Sequence, residues 1–332
     1  MVGAACSNGD RIPLAELQRF KVCRVEGKIV SASRQCWQGS ASVRFYRSGG
    51  RTIHQGGCTA PLKLSRAVDH GSTCELSLLH TAGGLVGGDV LHINCQLAPR
   101  SRARLTSVAA QKVYGSVGRS RLQPEGAWAR QQLTCQVEDG AWLSWFPQET
   151  VVFADGLLEQ KQRVELRGSG AWLGAEVVRL GRTAADETLA RGCWRSRLEL
   201  WRGQRLLLGD PMALHGASLQ RLHGLAGQAV VGTLNWVGGL RLDAAAVDAC
   251  RQARAGLSGE MEAGMIPDDG GDLLCCRYRG DSTRAARCWF VRIWALIHRW
   301  RGEPLPVLPR VWPLQDVLLP PGTMASDGIA PC

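Results

Sequence analysis

His80-Thr81-Ala82-Gly83-Gly84-Leu85-Val86-Gly87-Gly88-Asp89 sets two glycine pairs between two segments that read as β-strands. Glycine suits a backbone that must turn through positive φ or admit another chain at close range. Upstream, Cys74-Glu75-Leu76-Ser77-Leu78-Leu79 is a short apolar stretch, and downstream Leu91, Ile93, Cys95 and Leu97 alternate with polar residues. The run therefore reads as a strand-to-strand corner that carries one acid. A phosphate cradle would need a helix N-terminus directly after the glycines, and the alternation after Asp89 predicts a strand instead. The spacing also matches neither G-x-x-x-x-G-K-[ST] nor G-x-G-x-x-G.

Outward from this corner, short strand-like segments separated by Gly, Pro or polar turns run from Ser42 to Trp236. Gly140-Ala141-Trp142-Leu143 recurs thirty residues later as Gly170-Ala171-Trp172-Leu173. A repeat of that size among many short strands points to stacked coils rather than an ordinary sandwich. The predicted fold is all-β dominated, with β-helix-like stacked strands and two helices in the C-terminal region. Asp243 can cap one helix over Ala244–Leu257, and Asp281 or Ser282 can cap a longer one that ends at Trp300 before Gly302 and Pro304. On the longer helix Ala286, Phe290, Ile293, Ile297 and Trp300 share a face that should dock on the sheet, with Arg287, Arg292, Arg299 and Arg301 largely off it. Residues 1–36 lack periodicity and read as a flexible extension or an artefact of start-codon choice. The organised domain should span 37–312, and 313–332 reads as a flexible tail.

The chain has 332 residues and a formal charge of +11, enough length for a substantial core. Its basic residues are mostly Arg and are scattered, which favours a solvated basic surface over a nucleic-acid footprint. The 13 cysteines are odd in number and form no C-x-x-C pair, so neither a disulfide framework nor a zinc knuckle is indicated. Cys95 and Cys135 fall on apolar faces, where a thiol packs as a small hydrophobe. With no signal-peptide pattern at the N-terminus and no apolar run of transmembrane length, a cytoplasmic protein without membrane contact is expected.

No nucleophile motif stands out, and His80 with His92, or His215 with His223, are spaced too widely to form a local metal pair. Four acids in apolar surroundings carry more information: Asp89, Glu149, Glu176 and Asp210. A carboxylate in such a place must be paired, hydrogen-bonded, metal-bound or turned toward internal water. Each alone fits a satisfied turn or an ion pair with one of the many arginines. Together they raise the prospect of a polar interior path.

The ordered motifs resemble the urease accessory protein UreD family, also called UreH. The resemblance runs through Leu79–Asp89, Ala110-Gln111-Lys112-Val113-Tyr114, Trp145-Phe146-Pro147-Gln148-Glu149, Leu180-Gly181-Arg182, Glu187, Gly192, Arg197–Trp201 and Leu308-Pro309-Arg310-Val311-Trp312. Asp186 departs from it, standing where a glycine often precedes the matched glutamate. The resemblance implies a non-catalytic scaffold between apo-urease and the accessory proteins UreF and UreG, in a heterocomplex with two copies of each accessory protein. It implies no tightly bound cofactor, but transient passage of Ni(II) to the urease active site. On that reading Asp89, Glu149, Glu176 and Asp210 become candidate residues of a nickel conduit, since widely spaced carboxylates and water can hand on the ion without trapping it.

Two other classes compete. A cytoplasmic β-helix carbohydrate-active enzyme would use paired carboxylates such as Glu149 and Glu176 as general acid and base. A nucleic-acid binder rests on charge alone.

Overall fold

The computed structural model describes residues 36–312, together with a two-stranded ribbon of Arg24–Val25 and Lys28–Ile29 that forms a separate unit. The expectations for most of residues 1–36 and for 313–332 lie outside the described residues.

Among the described residues the architecture is two facing sheets, of seven and eleven strands, flanked on one side by helices. In the smaller sheet Gln38–Ser48, Val90–Leu97, Ala129–Val137, Leu157–Leu166 and Cys193–Arg202 lie parallel and in unbroken register. In the larger sheet Thr73–His80, Arg102–Ser107, Trp142–Phe146 and Ala171–Leu180 do the same. The chain crosses from one sheet to the other at each tight corner, so successive coils stack as the repeat predicts. Antiparallel strands close the larger sheet at Val230–Val237, Leu273–Gly280 and Glu260–Ile266, and Arg205–His215 closes the smaller one.

The recurring tetrapeptide marks two equivalent corners, but the register aligns Trp142 with Ala171 and Leu143 with Trp172. A one-residue offset in a strand turns a side chain to the opposite face. Trp172 therefore packs between the sheets, whereas Trp142 packs outward against Trp236 and His298.

Among the described residues three α-helices accompany the sheets: α1 (Gly216–Gln220), α2 (Ala244–Gln252) and α3 (Thr283–Trp300). Asp243 accepts a bond from the Ala246 amide at 2.7 Å and Ser282 one from the Ala285 amide at 3.1 Å, as the capping signals require. The shorter helix ends at Gln252, before the predicted Leu257. Ala286, Phe290, Ile293 and Ile297 are fully buried in the second core, between the helices and the outer face of the larger sheet. Arg287 departs from expectation, because it is buried and bonded to Glu149 rather than solvated.

The glycine run is a corner, entered from Thr73–His80 and left into Val90–Leu97. Gly84 has φ +150°, and a Cβ there would lie 2.7 Å from the Tyr114 ring and 2.8 Å from the Lys112 carbonyl, so two chains meet too closely for any side chain. Asp186 adopts φ +52°, the left-handed region that favours glycine, which explains the glycine expected there by resemblance.

Candidate functional site

The motifs that are far apart in sequence come together at one end of the coil. Leu85 bridges to Val113, Gln111–Val113 pairs in parallel with Thr150–Val152, and that segment pairs in parallel with Val178–Leu180. The backbone closes the arrangement: the Gln111 amide donates to the Glu149 carbonyl at 2.9 Å, and the Gly181 amide donates to the Val152 carbonyl at 2.7 Å. The Glu187 carboxylate accepts from the Ala154 amide at 2.9 Å and is gripped by Arg182, whose hydrogen bond, more than its charge, holds it below the usual carboxylate range. The Arg182 guanidinium also lies 4.5 Å over the Phe153 ring.

This converging set forms one side of an inter-sheet cavity of about 410 Å³, whose lining includes Gly83, Gly84, Lys112, Gln148, Thr150 and Glu176. Inside, strand alternation presents polar groups where a sandwich would normally bury aliphatic ones. Gln131, Gln160 and Ser196 are register neighbours across the smaller sheet, and Gln162 and Asp210 flank Leu198 in the next inward row. Facing them, Glu176 pairs in register with Thr233 and Thr233 with Arg277. Glu176 lines both the cavity and a narrow space that continues to Gln162, Asp210, Thr233 and Asn235. A polar seam thus runs through the interior from the glycine corner to the closing strands.

Charge along the seam is carried by Glu176 and by the pair of Asp210 with Arg277. The Glu176 carboxyl is pushed up to about 7, first by burial and then by the charge of Asp210, while a hydrogen bond from Gln162 acts the other way. Asp210 pairs with Arg277 at 2.6 Å. Trp194 Nε1 donates to Gln160 Oε1 at 2.6 Å, which fixes that amide.

The other two sequence-predicted acids stand apart from this seam. Asp89 is fully buried; its two carboxylate oxygens accept from the Trp37 amide at 2.8 Å and the Val86 amide at 2.9 Å, which locks the glycine corner. Glu149 is ion-paired to Arg287 of α3, while its neighbours Gln148 and Thr150 line the cavity. The general acid and base pairing of Glu149 with Glu176 is therefore set aside: one carboxylate is bound to an arginine of the outer helix and the other faces the space between the sheets.

Sequence reasoning missed the buried pair of Glu75 and Arg104, 2.8 Å apart, whose guanidinium lies 4.4 Å over Trp294. They are direct register neighbours on adjacent parallel strands. Only the pairing could have announced them, although period two already set Glu75 on the face opposite Cys74 and Leu76. It also missed Arg277, the cation at the end of the seam. Among the described residues no three His, Cys, Asp or Glu side chains converge on a metal position. No helix there is long and apolar enough to cross a membrane.

The distinctive motifs of this parallel two-sheet coil thus frame one side of a cavity, with Glu176 and Asp210 spread singly along its interior. The UreD urease accessory protein family matches residues 38–313. Urease accessory protein UreD of Synechococcus sp. strain CC9311 is 48% identical over 294 residues, covering 86% of this chain and 98% of that protein. Its counterpart in Parasynechococcus marenigrum strain WH8102 is 50% identical over 294 residues, covering 86% and 93%. The chain belongs to the UreD family of urease accessory proteins, and its role is in urease maturation, without catalysis of its own.

Proposed function

We propose that this chain is a cytoplasmic scaffold that links apo-urease to UreF and, through UreF, to the GTPase UreG, in an assembly with two copies of each accessory protein. Ni(II) passes through its interior on the way to the urease active site. The observation that supports this reading best is the placement of the family's motifs on one side of a cavity that leads past Glu176 to Asp210.

The chemistry suits passage. Ni(II) takes carboxylate, imidazole and water ligands, and a single carboxylate with water around it binds weakly and releases readily. Glu176, whose carboxyl is pushed up to about 7 by burial and by the Asp210 charge, gives up its proton to a cation less readily than an ordinary glutamate and so holds it less firmly. Gln131, Gln160, Gln162 and Ser196 keep the space between acids wet enough for ligand exchange. Asp89 and Glu149, also candidates for the conduit, hold the frame at the glycine corner and at α3.

The test is co-expression of this chain with its cognate UreF, UreG and apo-urease, followed by pull-down and by measurement of nickel in the matured urease. Glu176→Ala and Asp210→Asn should leave the accessory complex intact and lower urease nickel content. Full nickel content with both variants would refute the conduit, and urease maturation that needs no copy of this chain would refute the scaffold.

A further inference from the structure

We propose that His80 is a nickel ligand inside the inter-sheet cavity, close to the glycine corner; this rests on the conduit reading above and adds to it a nitrogen ligand for the ion. His80 ends the strand Thr73–His80 and continues the inward parity of Cys74, Leu76 and Leu78. Its ring lines the same cavity as Glu176, Gln148 and Gln160.

Both ring nitrogens are closed off from bulk solvent, and neither has a hydrogen-bond partner. Buried imidazoles ordinarily direct each nitrogen at a donor or acceptor, because a buried polar atom left unmet forfeits its bond to water without replacement. Two unmet nitrogens in a polar cavity mark a group kept available for a ligand. Burial favours the neutral form of the His80 ring, with the Asp89 charge acting in the opposite direction. A neutral imidazole offers the lone pair that Ni(II) prefers over a carboxylate oxygen.

Among the described residues no group of three His, Cys, Asp or Glu side chains that could hold a metal includes His80. The remaining positions around the ion fall to water. That donor set discriminates against Mg(II) and Ca(II), which want oxygen alone, yet stays too sparse to retain nickel. His80 thus selects at the cavity.

The untagged full-length chain in complex with UreF is incubated with Ni(II) alone, then treated with peroxymonosulfate, which oxidises side chains at bound nickel, and peptides are mapped by mass spectrometry. Nickel-dependent modification at His80 is expected in the unaltered protein, and by equilibrium dialysis His80→Ala should weaken the corresponding Ni(II) binding at least ~10-fold. His92→Ala, on the exposed outer face of the smaller sheet, should bind as the unaltered chain does. Nickel bound with no modification at His80, or His80→Ala binding as tightly as the unaltered chain, overturns the proposal. Failure of the conduit itself reads out elsewhere, as full urease nickel content with Glu176→Ala and Asp210→Asn while the His80 footprint persists.

Discussion

Arg277 and Asp210 join the two sheets at the end of the polar seam, with guanidinium and carboxylate 2.6 Å apart. Asp210 sits on Arg205–His215, which closes the smaller sheet, and Arg277 on Leu273–Gly280 of the larger one. Arg277 also donates to Thr233 Oγ1, so it is held on both flanks.

Breaking this pair from one side strands a mostly buried carboxylate. Arg277→Met should lower unfolding stability by about 1–3 kcal/mol, less than a fully buried pair would lose because Arg277 keeps partial exposure. Arg277→Met with Asp210→Leu should recover most of that loss. A double-mutant cycle by urea denaturation measures the coupling, and additive losses would show that the pair contributes nothing across the sheets.

Glu176 imposes a pH dependence of opposite sign to the usual carboxylate. Its folded-state proton affinity is raised from 4.5 to about 7, so between those values the folded chain holds more protons than the unfolded chain. Stability therefore falls as pH rises from about 4.5 to about 7. Relative to the unaltered protein, Glu176→Gln should gain up to about 3 kcal/mol above pH 8 and nothing at pH 4. Denaturant midpoints that differ equally at both pH values would refute the assignment.

Arg287 lies under 5% exposed on α3, and its pairing with Glu149 fastens the helix to the segment that lines the cavity. Glu149→Gln should cost about 1–3 kcal/mol by replacing the charged acceptor beside a buried guanidinium with a neutral one. Amide hydrogen exchange should show the loss first in α3 and in 147–150, with the smaller sheet protected as before. Uniform loosening across both sheets would contradict a local clasp.

Asp89 accepts two backbone bonds at zero exposure. Asp89→Ala should destabilise the chain by about 2–4 kcal/mol, since the Trp37 and Val86 amides lose a charged acceptor together. Asp89→Asn, which keeps one acceptor oxygen, should lose less. Equal losses in thermal or urea unfolding would mean that the second bond carries no weight.

The legible part of the site was its residue types. Apolar surroundings flagged Asp89, Glu149, Glu176 and Asp210, but Asp89 serves the backbone, Glu149 serves α3, and Glu176 and Asp210 share the seam. Burial cost is the same signal whichever partner relieves it, so sequence could mark these acids and could not sort them. Glu75 with Arg104 was invisible for the same reason in reverse, because their register supplies the meaning.

What the sequence determined by itself was local: the glycine corner, the strand alternation, the caps at Asp243 and Ser282, and the buried stripe of α3. These follow from backbone sterics and from period two or 3.6, which act between near neighbours. What tertiary structure decided was facing. The repeated Gly-Ala-Trp-Leu gave Trp142 and Trp172 identical surroundings in sequence, and a one-residue offset in stacking sent one to the helices and the other between the sheets. The cavity and the seam exist for the same reason: strands distant in the chain bring Gln160, Glu176 and Asp210 to a shared interior only when the coils stack in register.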